Sequence, residues 1–340
     1  MNNERRLTSP DSSFIIHHSS FVVHPMQKNP SLSDYFQLHF IVLIWGFTAI
    51  LGKLLEPLDS SAVVLFRTLL AVLGMGVVLL VRRQSVRVAP GDRWRLLATG
   101  GVIALHWVAF FLAARVANVS VCLAGMATSS LWASVLEPLI LRRRVRTVEV
   151  ILGAVVLAGL YMIFRFEFDK GAGLALAVFS AMLSSLFTII NSRFAQRLDA
   201  YVISFYEMAG ASMGAFLLWL GIRAADSAQG SLVAQYVPDS LGQWGWLLVL
   251  SMVCTVYAYT VGVKLLRKFS PYMAILTVNL EPVYGILLAV LIFGNSERMT
   301  AGFYVGTVVI LVAVLAYPML NHRLNRPVTI ESAEVIKGNS

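Results

Sequence analysis

Apolar residues gather in ten runs along the chain, at 38–55, 61–81, 96–115, 119–141, 148–164, 171–192, 200–222, 244–264, 270–293 and 299–319. A helix needs about 20 apolar residues to cross about 30 Å of hydrocarbon, so each run reads as one crossing. The connections between runs are short and polar. The longest internal one, 223–243, contains Pro238 and several Gly, Ser and Asp. No segment remains for a soluble domain, and the predicted fold is an all-α integral membrane protein of ten transmembrane helices.

Composition agrees. The 340 residues are 58% hydrophobic and 13% charged, with a mean hydropathy of +0.74. Soluble domains are about 45–50% apolar and about 25% charged, so charge this sparse cannot coat a soluble surface. The net charge of +9 invites a nucleic-acid reading, but the distribution argues against it. With the N-terminus in the cytoplasm, twenty of the 27 Lys and Arg residues fall on the cytoplasmic side and six on the other, leaving Arg67 inside a span. That is the positive-inside bias, and it places both termini in the cytoplasm of a multi-pass cell (inner) membrane protein. Basic residues of this kind face anionic lipid.

Residues 1–36 repeat "SSFIIH" as "SSFVVH" at a period of seven, with too few apolar residues to span. The apolar stretches are too short for a signal peptide. We take 1–36 as a cytoplasmic tail, with Met26 as an alternative start, and 321–340 as a second tail. Cys122 and Cys254 lie inside separate spans and imply no disulfide framework.

The chain also repeats itself. "WGFTAILGK" (45–53) aligns with "SLFTIINSR" (185–193) at an offset of 140, which pairs Thr48 with Thr188 and continues to Asp59 with Asp199. Further on, an offset of 150 pairs Trp107 with Tyr257 and Ser120 with Ser270; at the last helix an offset of 153 pairs Gly153 with Gly306. Two five-helix repeats follow, 38–165 and 171–320. Five is odd, so the second starts on the opposite face and the repeats are inverted. Inverted repeats are a common basis of alternating access.

The pieces "LIWGFTAILGK", "LFRTLL", "KFSPYMAILTVNLEPVYGILLAVLIFG" and "GFYVGTVVILVAVLAY" resemble the drug/metabolite transporter superfamily, EamA type. The first repeat departs from the pattern, with Trp132 where the second has Pro282 and Arg144 where the family tends to have Gly-Glu. The "EP" at 137–138 falls later than the "EP" at 281–282 in the repeat alignment. The resemblance implies a ten-helix secondary transporter, often an exporter of amino acids or other small metabolites.

Charged residues in hydrocarbon are costly and mark candidate sites. At 1.5 Å per residue, Arg67 lies roughly 9 Å below the outer edge, Glu281 roughly 16 Å and His106 roughly 15 Å from the inner edge, and Glu207 roughly 10 Å from it. Depth favours Glu281 over Glu207 as the partner of Arg67, and Glu207 is close enough to the inner interface to be hydrated. Pro282 leaves the Val278 carbonyl without its helical donor and predicts a bend beside Glu281. The candidate cavity is Arg67, Glu281, Trp45, His106, Trp107, Glu207, Tyr257, Tyr259 and Asn279. The bland readings are a snorkelling Arg67, a satisfied core His106 and aromatics that merely pack. Gly153, Gly159, Gly302 and Gly306 read as close helix contacts.

No Cys/His metal spacing, phosphate-cradling loop or Ser/His/Asp set is present, so no enzyme, metal or cofactor is expected. The leading function is secondary active export of a small polar metabolite such as an amino acid. A membrane-embedded lipid-handling protein or enzyme, or a non-transporting scaffold, are the alternatives. Small-molecule substrate and membrane lipid are the expected partners, nucleic acid is not, and a homodimer stays open.

Overall fold

A computed structural model describes residues 30–142, 144–145, 147–228 and 235–324. Most of both predicted tails, with Met26, lie outside the described residues. The first helix, α1 (Leu32–Leu54), begins inside the first tail, where Ser31 and Asp34 form a reciprocal capping box. Then come α2 (Ser60–Val81), α3 (Pro90–Val116), α4 (Val119–Met126), α5 (Ser129–Leu141) and α6 (Thr147–Phe166). The second half holds α7 (Gly171–Ala195), α8 (Ala200–Ala228), α9 (Leu241–Ser251), α10 (Ala258–Leu265), α11 (Pro271–Val278), α12 (Glu281–Phe293) and α13 (Ala301–Leu324). Among the described residues there is no β-strand, and eight helices are long and apolar enough to cross a membrane. Ile151–Phe166 and Ala301–Ala313 are shorter apolar stretches. Where water is absent, helix is the arrangement that satisfies every backbone group within one segment.

Three predicted spans are not continuous. Run 119–141 divides into α4 and α5, and run 270–293 into α11 and α12, each as eight residues, a two-residue turn and thirteen residues. The predicted bend at Pro282 is thus a break. Pro282 has no N–H to continue the ladder, so α11 closes with Asn279 and Leu280 donating to Ile275 and Thr277, and α12 restarts with Pro282 in its first turn. The first repeat has no proline there. Thr128 instead turns its hydroxyl back onto the Gly125 carbonyl at 2.7 Å, a side-chain bond that competes with the helix ladder. The third interruption is a π-helical turn, Met252–Tyr257, between α9 and α10. The predicted loop 223–243 is helical as far as Ala228.

The matched breaks correct the repeat register. Val119 begins α4 and Pro271 begins α11, each with its preceding polar residue (Asn118, Ser270) capping the third backbone N–H, so the offset here is 152 rather than 150. Glu281 therefore corresponds to Ser129, not to Leu131.

Polar contacts at the helix ends fall into two sets. The set near the start of α1 contains Asp34 with Lys268 (2.7 Å), Arg197 with Asp92, and Arg267 with the Ala195 and Leu198 carbonyls. The other set, near the end of α1, contains Lys53 with Glu297 (2.8 Å), Glu167 with Lys170 and Thr300, and Asp59 with Gln235. Between them α3 packs on α7 and α8, α2 on α8, and α6 on α13. Gly159 and Gly306 make the last contact close: a Cβ on either would stand under 3 Å from the other's carbonyl oxygen. Small residues at such crossings let membrane helices approach.

Candidate functional site

A cavity of about 110 Å³ lies between the two halves of the chain. Arg67 is its anchor. The side chain is 1% exposed, donates from Nε to Thr255 Oγ1 at 2.8 Å, and lays its guanidinium 3.8 Å over the Trp107 ring. Cation–π stacking and one hydrogen bond hold the planar fork in place. Nη1 is buried without a hydrogen-bond partner, and among the described residues Arg67 forms no ion pair. Glu281, at the first position of α12, lines the same cavity, 7% exposed, and no described residue hydrogen-bonds its carboxylate. The two opposite charges share one enclosure and lie within Coulombic reach.

Three further predicted residues complete the wall. Trp45 donates its indole N–H to the Cys254 carbonyl at 3.2 Å, and that carbonyl lies in the π-helical turn. The same turn aims Thr255 at Arg67, with Thr255 Oγ1 donating back to the Leu250 carbonyl five residues earlier. Tyr259 stands edge-on to Trp107, ring centres 6.2 Å apart. His106 Nδ1 lies 2.9 Å from the Ser180 carbonyl and 2.8 Å from Ser180 Oγ, and because the carbonyl only accepts, Nδ1 carries a proton.

Glu207, Tyr257 and Asn279 do not line the cavity. Glu207 has no exposure and lies behind Tyr259 and Asn191, so the expectation that it is hydrated fails. Tyr257 is 44% exposed and meets Phe40 on the outside of the bundle; the π-helical turn rotates Tyr259 inward in its place. Asn279 is buried in the turn between α11 and α12, where Ser129 Oγ donates to its Oδ1 at 2.6 Å. Pro282 sets the break without reaching the wall.

Reading the sequence also missed lining residues. Thr48, Thr188, Ser129 and Asn191 supply polar atoms, and Met126, Val278 and Phe187 supply apolar surface. The repeat held the signal for several of them. Thr48 and Thr188 pair at offset 140, while Ser129 with Glu281 and Met126 with Val278 pair at offset 152, and all six line the cavity. Thr48 Oγ1 is a second buried wall atom without a partner.

The cavity is thus mainly apolar and aromatic, with a cation and an anion that lack full partners, and both halves of the chain build it. A comparison with curated proteins finds no match. One solved structure, described only as the crystal structure of a protein, superposes with a TM-score of 0.63 at 15% identity, covering 85% of this chain and 98% of that one. At that identity the likeness speaks for the fold alone. A sequence model of the EamA-like transporter family matches residues 35–165 and matches again over 171–317. With two matched repeats, a membrane-crossing helical fold and a cavity where the halves meet, the chain belongs to the EamA-like transporter family.

Proposed function

We propose that this protein is a secondary active transporter that exports a small polar metabolite, an amino acid above all, by alternating access of two inverted repeats. The single observation that carries the reading is that Arg67, with its Nη1 unpartnered, and Glu281 line one cavity without forming an ion pair. A guanidinium with an unused Nη1 suits a carboxylate, which a planar fork can hold by two bonds. A free carboxylate across the same space suits an ammonium group. A zwitterion supplies both and relieves two costly buried charges together.

Exchange of contacts between the halves supports inversion: α4 packs on α12 as α11 packs on α5, and α1 packs on α12 as α7 packs on α5. The two sets of helix-end contacts support ten crossings, and the excess of Lys and Arg at the end where α1 begins supports a cytoplasmic location for both termini. The wall reaches toward that end through Leu38 and Leu266, while Lys53 and Glu297 join the opposite end.

Uptake of labelled amino acids into proteoliposomes of known orientation tests the reading. Saturable flux that is lost in Arg67→Ala and Glu281→Gln is the expected outcome. Equal flux in protein-free vesicles would refute it. Topology has its own check: cysteines placed near 90 and near 230 should label from opposite sides.

A further inference from the structure

Glu207 is the buried charge that the cavity does not use. Tyr259 Oη donates to its Oε2 at 2.7 Å, and Asn191 Nδ2 donates to the same oxygen at 3.2 Å. Its other oxygen, Oε1, is buried with no hydrogen-bond partner, and so is Oδ1 of Asn191. Both atoms are acceptors when the acid is ionised. They belong to two planar groups already joined by one N–H···O bond. A carboxylic acid and a carboxamide can close a two-bond pair when the acid oxygen facing the amide carbonyl carries a proton, and both oxygens such a bond would use here lack a partner.

Among the described residues, no cation forms a hydrogen bond or ion pair with Glu207. The elements packed on α8 are α2, α3, α7 and α10. Arg67 of α2 and His106 of α3 face the cavity. Asp92, Arg93 and Arg95 lie in the first turns of α3 and Arg115 at its far end, and Arg193 of α7 and Lys264 of α10 are exposed near their helix ends. On α8 itself Tyr201, Tyr206, Arg223 and Asp226 lie near the two ends or outward, with Tyr206 Oη donating to the Val86 carbonyl. Among the described residues, Tyr259 is the one titratable side chain that hydrogen-bonds the carboxyl group. An ionised carboxylate without a cation or a full set of donors is costly in such a place.

We propose that Glu207 is a proton-binding site, and that its proton is the ion exchanged for substrate across the membrane. The proton sits on Oε1 and is donated to Asn191 Oδ1 while Tyr259 and Asn191 separate it from the cavity. On release, the Oε1–H bond breaks, the electron pair stays on the carboxylate, and the proton passes to cavity water. Coupling follows from shared groups, because Asn191 and Tyr259 are also wall residues. A substrate that engages either one withdraws a partner from Glu207, so substrate and proton occupancy are linked through the same two side chains. The coupling role rests on the transporter reading; the proton site does not.

Infrared spectra of the full chain in lipid at about pH 7, well above the ordinary glutamate range, test the site first. In a Glu281→Gln background, a protonated-carboxyl stretch is expected that disappears on Glu207→Gln. Absence of that difference would overturn the proposal. Gln offers an N–H to Asn191 Oδ1 and a carbonyl oxygen to its Nδ2, so it can complete the pair and the variant is expected to fold. Should it not, Glu207→Asp must move the band, and an unmoved band overturns the assignment. Vesicles loaded with a pH-sensitive dye and given labelled amino acids test the coupling. Wild type should move protons with substrate. Glu207→Gln should retain exchange of labelled for unlabelled amino acid while its proton flux falls at least about tenfold, a loss of about 1.4 kcal/mol in coupling. Unchanged proton flux in that variant overturns the coupling role. If no amino acid moves in wild type, the transport reading fails, and the infrared band still decides the proton site.

Discussion

The rim carboxylates named above and the charges in the middle of this protein are handled in opposite ways. At the rim, every buried carboxylate named above is answered. Glu297, with no exposure, accepts from Lys53 Nζ at 2.8 Å, from Ser120 N at 2.9 Å and Oγ at 3.0 Å, and from Val119 N at 3.3 Å, which places an anion on the N-terminus of α4. Glu167 does the same for α13 through Thr300, with Lys170 beside it. In the middle, Arg67, Glu207 and Glu281 each lack a partner that the rim would supply. Folding alone favours the rim's solution, since orphaned buried polar groups cost about 1–3 kcal/mol each. Two such groups on one cavity, and a third directly behind its wall, are best explained by ligands that come and go.

The contrast breaks most sharply at Glu281. Glu281→Gln keeps the size of the side chain and removes its charge, so uptake should fall on the order of 100-fold, about 2.7 kcal/mol, with thermal stability unchanged or raised. Wild-type flux in that variant would make Glu281 a structural residue like those at the rim. Arg67 comes next. Arg67→Lys keeps the charge but loses both the fork and the flat face against Trp107, so uptake should fall at least about tenfold, nearly as far as in Arg67→Ala. Survival of transport with lysine would show that only charge matters.

The rim should respond in the other currency. Glu297→Gln leaves Lys53 without its anion and weakens the bonds to two backbone N–H groups, so the midpoint of thermal unfolding should drop by the equivalent of roughly 1–3 kcal/mol. Flux per folded molecule should change far less than in Glu281→Gln. A variant with normal stability and lost transport would move Glu297 from the rim's class to the middle's.

How much of this contrast is legible in the chain differs by feature. Arg67 and Glu281 stand out because a charge inside an apolar run has no cheap explanation. The break before Pro282 is half-legible, as a bend, because proline removes a donor whatever surrounds it. Its twin at Thr128 is not, since threonine breaks a helix only where its hydroxyl finds the Gly125 carbonyl, a matter of local geometry. The π-helical turn at Met252–Tyr257 leaves no mark in composition, and beyond it Tyr259 rather than Tyr257 stands on the wall. Glu207 shows as a charge, but its burial depends on α2, α3, α7 and α10 closing over it, which depth along one helix cannot reveal. The repeat carried more than it yielded: with the offset at 152, Ser129 appears opposite Glu281 on the same cavity.

The smallest expected effect belongs to Glu167, and it separates rim from middle by pH. Burial alone would raise this carboxyl group, but hydrogen bonds from Lys170 and Thr300 outweigh it and hold the group below its ordinary 4.5. Folding therefore favours the ionised form. Its contribution is fully present above about 4.5 and is lost as pH falls through the lower, folded-state value. Glu167→Gln keeps the shape and removes the charge, so wild type should exceed it by about 1 kcal/mol at neutral pH, the usual worth of a helix cap. The gap should close as the medium is acidified. Thermal unfolding of both proteins at stepped pH measures it. Curves that stay parallel into the acid range would mean that Glu167 is held by shape rather than charge, and the rim would then owe less to its ion pairs than to the backbone it caps.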